Sequence, residues 1–327
     1  MSMGDTTSGI RLHETGGPGV LRWEELPLAA PGRGEVLVRH TAIGLNYIDA
    51  YKRSGLYKVA LPACPGEEAA GVVESVGRGV RSVRPGDRVA CLGVEGAYVQ
   101  RRVVPAARLL RLPRAVSDEL AAASLLKGLT AWALLHEVHR VRAGETVLVP
   151  AAAGGVGQLL AQWSRALGAR VIGAVGDAAK APVAKRAGCH VVLVGYDDLA
   201  VRVRAATRGQ GVHVAYDGVG RDTFMGSLDS LRPRGLMVTF GNASGAAPAI
   251  APLELMRRGS LVLTRPTLND FIREPADLAR GAKALFTALA RGTLRVRIGQ
   301  RYPLREAARA HADLEARRTS GSSVLLP

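Results

Sequence analysis

A short uninterrupted apolar run, Thr146-Val147-Leu148-Val149, leads almost directly into Ala151-Ala152-Ala153-Gly154-Gly155-Val156-Gly157, and a helix-periodic segment follows. Leu159, Leu160, Trp163 and Leu167 fall on one side of that segment, and Gly168 is placed to end it. A buried strand, a turn almost without side chains and a helix in this order constrain the fold more than any other feature. The dinucleotide fingerprint G-x-G-x-x-G asks for a small residue at the turn, no side chain where backbone meets pyrophosphate, and glycine where helix packs on sheet. Ala152 stands at the first position; Gly154 and Gly157 fill the other two. Backbone N–H groups at the helix start then face the phosphates, and the helix dipole favours their charge. Taken alone, such a turn is equally a tight strand–helix connection. The strand before it, the helix after it and a second strand at βαβ spacing point to a dinucleotide. Residues 146–164 carry no charge, but Pro150, the glycines, Gln158 and Gln162 argue against a membrane span.

Strands and helices alternate from there on. Apolar runs at Val171–Val175, Val191–Val194, Val212–Tyr216 and Leu236–Phe240 are separated by helical stretches ending near Ala187, around Leu199–Thr207 and around Asp222–Leu231. This pattern builds a doubly wound parallel sheet, an α/β fold. Upstream the grammar differs. From about Arg11 to Arg114, short apolar runs such as Val36–Arg39, Gly71–Val73 and Arg88–Ala90 are punctuated by Pro31-Gly32, Pro65-Gly66 and Pro85-Gly86, which reads as a small β-rich barrel or sandwich. Ser117-Asp118-Glu119 opens a helix with acids in its first turn. Helices over Pro275–Arg291 and Leu304–Arg317 and a last strand, Ser323–Leu326, are expected to return to the first domain. At 327 residues the chain is expected to form two domains: residues 1–126 completed by 266–327, and residues 127–265.

Lys and Arg number 44 against 28 Asp and Glu, a net charge of 44 − 28 = +16, and only six of the 44 are Lys. The charge permits an acidic partner, RNA or DNA included. The basic residues are spread along the whole chain and aromatics are 4%, which argues against a stacking surface for nucleic acid and for a general arginine bias. Cys64, Cys91 and Cys189 form neither a C-x-x-C pair nor an even set, so a disulfide framework is excluded. A reducing, cytoplasmic setting is expected, the polar N-terminus offering no signal peptide.

The end of the second strand bears on the choice of dinucleotide. An acid there binds the ribose 2′-hydroxyl of NAD. The chain has Val175-Gly176-Asp177-Ala178-Ala179-Lys180. Gly176 leaves room for a 2′-phosphate and Lys180 supplies a cation, so NADPH is expected, with Asp177 as the complication.

Several motifs together are far more specific than the turn. They are Ala42-Ile43-Gly44-Leu45-Asn46-Tyr47-Ile48-Asp49, Arg53-Ser54-Gly55-Leu56-Tyr57, Lys127-Gly128-Leu129-Thr130, Ala151–Gly157, Tyr216-Asp217-Gly218-Val219-Gly220, Phe240-Gly241-Asn242 and Gly321-Ser322-Ser323. Through them the chain resembles, nearly end to end, the quinone oxidoreductases of the zeta-crystallin type in the medium-chain dehydrogenase/reductase superfamily. The resemblance implies a GroES-like catalytic domain plus a Rossmann domain, with cofactor and quinone in the cleft between them. It also implies NADPH as hydride donor, a homodimer and no membrane association. By motif, the cofactor residues would be Tyr47, Asp49, Tyr51, Gly154, Gly155, Val156, Gly157, Gly176, Lys180, Tyr196, Phe240, Gly241, Asn242, Thr267 and Arg317. Lys180 and Arg317, with Tyr196, would meet the 2′-phosphate. Family members commonly carry Ser or Thr where this chain has Asp177.

Zinc-dependent relatives in that superfamily place a Cys and a Gly-His-Glu motif as metal ligands. Here Asn46 and Gly66-Glu67-Glu68 stand at those positions, so no metal is expected. His136 and His139, beside Glu137 and Arg140, read as a solvated helix face. A quinone needs little electrophilic help, since its reduction creates an aromatic ring; stacking, orientation and a proton source suffice. Asn46 and Tyr47 are expected to floor the substrate site, Tyr51 to line it and relay a proton, and Thr130 to shape the nicotinamide pocket. Reduction of a 2-alkenal or enone on the same scaffold is the nearest alternative, and a second role in nucleic-acid binding the more distant one.

Overall fold

The computed structural model describes residues 5–327. The first four residues of the polar N-terminal segment lie outside the described residues. The chain separates into two compact units. Among the described residues the first comprises 5–129, 273–290 and 296–327; the second comprises 130–272 and 291–295.

The first unit opens with the hairpin β1 (Thr6–Leu12) and β2 (Leu21–Pro27). Next come β3 (Glu35–Leu45), β4 (Glu68–Val76), β5 (Arg88–Leu92), β6 (Arg101–Pro105) and β7 (Leu109–Arg111). The run read at Val36–Arg39 is the start of an eleven-residue strand that is buried almost throughout. Its burial follows from its neighbours, since β3 pairs antiparallel with β4 and β6. His40 sits inside that strand. It contacts the Val99 carbonyl through Nδ1 at 2.8 Å, while Arg102 donates to Nε2 at 3.2 Å. Burial, with Arg102 nearby, lowers its pKa to about 3, so it is a neutral core residue.

Two helices follow β3 and β7 in turn: α1 (Tyr47–Arg53) and α2 (Asp118–Trp132). Asp118 and Glu119 occupy the first turn of α2, as the acids in the sequence indicated. Asp118 also accepts from the Arg88 guanidinium and from the Thr41 hydroxyl, which ties the helix start to β5 and β3.

The second unit holds β8 (Thr146–Pro150), α3 (Gly155–Ala166), β9 (Arg170–Val175), β10 (Val191–Val194), β11 (Val212–Asp217), β12 (Leu231–Thr239) and β13 (Val262–Thr264). All adjacent strands are parallel, in the order β10-β9-β8-β11-β12-β13. The order reverses direction at β8, which is the dinucleotide-binding arrangement. One element departs from the sequence reading. The helix expected over Asp222–Leu231 is confined to Phe224–Asp229, and Leu231 already belongs to β12. Leu231 pairs with Val212, the chain bulges outward through Arg232–Gly235 with Arg234 left-handed, and pairing resumes at Leu236 opposite Val214.

β14 (Ile298–Pro303) and β15 (Ser322–Leu326) return to the first unit. β15 lies between β14 and β3, antiparallel to β3, and so completes the seven-stranded sheet. The helix expected from Leu304 begins as a 3₁₀ turn and is α-helical only over Ala307–Glu315, because Arg317 adopts a left-handed conformation (φ 58°). Leu325 packs in a core with Ile10, Leu12, Ile43, Leu45 and Tyr98. Leu325→Ala should therefore cost about 2–5 kcal/mol in urea denaturation. Leu56→Ala, at a side chain 50% exposed, should cost under about 0.5 kcal/mol in the same assay.

Candidate active site

In the second unit the glycine turn sits at the end of β8. Ala151 adopts a left-handed backbone (φ 51°) although it is not glycine. Its carbonyl accepts the Gly154 N–H at 2.8 Å, and Ala152 N–H donates to Ala174 in β9 at 3.0 Å. A Cβ at Gly157 would lie 2.2 Å from the Ala151 oxygen, so only glycine lets α3 approach the turn this closely. Gly154 is exposed at the N-cap, and no acid stands in the first turn of α3. Gly154, Gly155 and Val156 thus offer a helix N-terminus without side-chain competition, suited to a phosphate group.

Gly176, Asp177 and Lys180 follow the buried strand β9. The Tyr196 ring lies 3.5 Å from where a Cβ on Gly176 would be. The loops after β11 and β12 meet backbone to backbone, since a Cβ at Gly241 would fall 2.2 Å from the Gly218 oxygen. Asp217, fully buried, organises the first of these loops. One carboxylate oxygen accepts the N–H groups of Val219 (2.8 Å) and Gly220 (3.0 Å), and the other accepts the hydroxyls of Thr223 and Ser227, both at 2.7 Å. Arg265 fastens the second loop by donating to Thr239 Oγ1 (3.2 Å) and to the Gly241 carbonyl (3.1 Å). With its amide oriented to satisfy both ends, Asn242 accepts from Arg265 and donates to Gly241. Phe240 is half-buried; Thr267 is exposed and precedes the four-residue helix Leu268–Phe271. Thr130, half-buried, is the first residue of this unit.

In the first unit the expected residues gather on α1. Asn46 and Asp49 form a capping box at its start. Both groups of the Asn46 amide are engaged: Nδ2 donates to Glu68 at 2.7 Å, and Oδ1 accepts from Lys127 at 2.7 Å. Glu68 is fully buried and also accepts the Leu126 N–H at 2.6 Å, with the Lys127 ammonium 3.7 Å away. Burial pushes the Glu68 carboxyl up and the Lys127 ammonium down, while their mutual attraction opposes both shifts. Glu67 is paired with Lys52, which also holds Glu95. The carboxylates at the Gly-His-Glu position are therefore each matched with a lysine. Among the described residues no group of three His, Cys, Asp or Glu is arranged to hold a metal ion.

Tyr47 and Tyr51 are half-buried with ring centroids 5.9 Å apart, and Tyr57 meets Tyr51 edge-on at 5.3 Å. Tyr47 donates to the Leu314 carbonyl at 3.2 Å. Burial raises its pKa, and the nearby Arg317 cation opposes that shift. Arg317 thus lies with Tyr47 in the first unit, whereas Lys180 and Tyr196 belong to the second.

Asp49 is buried. It accepts from Asn46 N–H at 2.9 Å and from Tyr98 OH at 3.1 Å, with the Tyr98 oxygen 3.1 Å from His311 Nε2. Its Oδ2 is thus engaged in capping and core hydrogen bonds within the first unit. Tyr57, Tyr98, Asp217, Arg265 and the Glu68–Lys127 pair went unassigned in the sequence reading. Lys127 carried a legible signal, because it is the one charge in the apolar stretch from Ala121 to Leu135. The reading of His136 as solvated is corrected. Its ring packs edge-on against Trp163 at 5.2 Å, while His139 pairs with Glu145 at 3.0 Å.

Two expectations follow for the first unit. Burial, reinforced by Glu67, pushes the Asp49 carboxyl up to about 8. Between the unfolded value of about 4 and that value, the native state keeps a proton that the unfolded chain has lost, so stability falls as pH rises. Asp49→Asn should therefore gain stability relative to the parent as pH is raised from about 5 to about 8, read as urea midpoints. Lys127→Met leaves Glu68 buried without its cation and should cost about 3–5 kcal/mol. Adding Glu68→Gln should recover much of that loss in the same measurement.

Comparison with known proteins agrees with this geometry. Residues 32–114 match the alcohol dehydrogenase GroES-like domain, and residues 155–280 match the zinc-binding dehydrogenase family. Quinone oxidoreductase 1 of Escherichia coli is 46% identical over 97% of this chain and 99% of its own length. A 2-haloacrylate reductase from a Burkholderia species is 44% identical over 97% of this chain and 98% of its own. The crystal structure of the Escherichia coli quinone oxidoreductase complexed with NADPH superposes with a TM-score of 0.95 at 45% identity, covering 98% of this chain and all of that one. With β-rich and doubly wound units, a glycine turn at the switch point and this similarity along nearly its whole length, the chain is an oxidoreductase of the medium-chain dehydrogenase/reductase superfamily and belongs to its quinone oxidoreductase family.

Proposed function

We propose that the protein reduces quinones with NADPH by direct hydride transfer. The observation that carries this reading is the turn at Ala151–Gly157, where the close approach of Gly157 to the Ala151 carbonyl leaves a helix N-terminus bare of side chains. The residues fit a phosphorylated dinucleotide. Gly154, Gly155 and Val156 would hold the pyrophosphate, and Gly176, Lys180 and Tyr196 the adenosine end. Phe240, Gly241, Asn242 and Thr267 would hold the nicotinamide end, with Thr130 shaping its pocket. Bound there, NADPH supplies a hydride from its nicotinamide C4. Support for the choice comes from the solved Escherichia coli relative, which is described as complexed with NADPH.

The chain's own groups then orient the oxidant and deliver a proton. Tyr51, with Tyr57 edge-on behind it and Tyr47 beside it, presents an aromatic surface on which a flat ring can stack. Asn46, with both ends of its amide engaged, acts by fixing the start of α1 and hence the position of Tyr47, rather than by touching the substrate. A quinone takes up one hydride and one proton to become a hydroquinone. Tyr51 is the proposed proton carrier. No metal enters this scheme. A homodimer is part of the same reading. The edge strand β13, with Val262, Leu253 and Met256 exposed in the same unit, supplies surface for a second copy.

The second reading, reduction of an activated carbon–carbon double bond, is favoured by the similarity to a 2-haloacrylate reductase. Steady-state kinetics with NADPH on 1,4-benzoquinone, 9,10-phenanthrenequinone, 2-alkenals and 2-haloacrylate separate the two. The quinone reading expects the highest kcat/KM on the quinones, with Tyr51→Phe lowering their kcat about 10²-fold or more. A higher kcat/KM on the alkenals or haloacrylate overturns it.

A further inference from the structure

Within the proposed dinucleotide site, one side chain sets the chain apart from its own binding logic. β9 is buried to its end at Val175, and the chain then emerges through Gly176 to Asp177. Asp177 is exposed and caps the 3₁₀ turn Ala178–Lys180. Its Oδ1 accepts the Ala179 N–H at 2.8 Å, and its carbonyl accepts the Lys180 N–H at 3.0 Å. These bonds fix a carboxylate two residues beyond the C-terminal end of β9, the second strand of the nucleotide-binding unit, and three residues from Lys180. In this fold an acid at that place accepts the ribose 2′-hydroxyl of NAD, and a nearby cation accommodates the 2′-phosphate of NADP. This chain has both.

We propose that Asp177 makes the protein accept NADH as well as NADPH, by accepting a hydrogen bond from the 2′-hydroxyl of the one and repelling the 2′-phosphate of the other. The inference rests on the dinucleotide reading above. An ionised carboxylate is an acceptor only, so it can satisfy a hydroxyl but has nothing to donate to a phosphate dianion. Lys180 acts in the opposite sense. With the two charges held on one short turn, neither dinucleotide is strongly favoured. The interaction is at the surface and in high dielectric, so it moves affinity by a modest factor rather than by orders of magnitude.

The test is direct binding, without any oxidant, of NADPH and NADH to the full chain by calorimetry at fixed ionic strength. The parent is expected to bind both, with dissociation constants within about tenfold of each other. Asp177→Asn keeps the capping oxygen and removes the charge. It should tighten NADPH about three- to tenfold and weaken NADH by a similar factor. Asp177→Ser, which also preserves a cap, should act in the same direction and guards against a local folding effect. Lys180→Met should weaken NADPH while leaving NADH nearly unchanged. A parent that prefers NADPH by more than about a hundredfold overturns the proposal, as do Asp177 variants that shift both dinucleotides equally or neither. If the parent binds neither dinucleotide, the underlying reading falls and takes this one with it, which is a different result from an unchanged preference.

Discussion

The carbonyl of Ala151 occupies the space that a side chain at position 157 would need. Everything at the nucleotide end of the second unit depends on that approach of backbone to backbone. It requires Ala151 to turn left-handed at the end of a buried strand, at a cost that a non-glycine residue bears only when its surroundings enforce it. The enforcement is visible: Ala152 is hydrogen-bonded to Ala174 and fully buried beneath the turn. The helix seated this closely carries no acid in its first turn, and its N-terminal N–H groups suit an anion. The same device recurs where Gly241 meets the Gly218 carbonyl, so two neighbouring loops are placed by the absence of side chains.

The first unit solves a different problem. It buries Glu68, Asp49, Lys127 and Arg53 beside a mainly antiparallel sheet. Such groups are tolerated because each lies in a network: Glu68 with Asn46, Lys127 and a backbone N–H; Asp49 with the helix cap and Tyr98; Arg53 with Glu315 at 2.6 Å. A buried ion pair is weak evidence for stability, but it is strict about geometry. Here the geometry it enforces is that of α1, which carries the tyrosines. Gly44 belongs to the same arrangement, since a Cβ there would fall 2.2 Å from the Glu68 carboxylate.

Most of the second unit was legible in the sequence because its signals are local. Four-residue apolar strands, a glycine turn and a glycine stop each report on their own neighbourhood, and β8, β9, β10 and β11 fall where the pattern put them. The miss at Leu231 has the same origin. The residue pairs with Val212 across a bulge, and pairing between strands leaves no periodic trace in either one. The site residues divide along the same line. Gly154 and Gly157 could be read from spacing. The Tyr98–Asp49 and Lys127–Glu68 contacts join residues 49 and 59 positions apart and depend on tertiary packing. His136 looked solvated because its sequence neighbours are charged, whereas the surface that covers it comes from Trp163 on another helix.

The pairing of β15 with β3 has a bearing on how the polypeptide is made. The sheet of the first unit is complete only when residues 322–326 lie between β14 and β3, so β3 waits for a strand that follows the whole of the second unit's sheet. Apart from residues 291–295, the second unit is one continuous stretch, and all six strands of its sheet have been synthesised before β14 begins. On a ribosome, where segments fold as they emerge, the nucleotide-binding half can therefore consolidate first, while the tyrosine-bearing half stays open-edged until β15 has emerged.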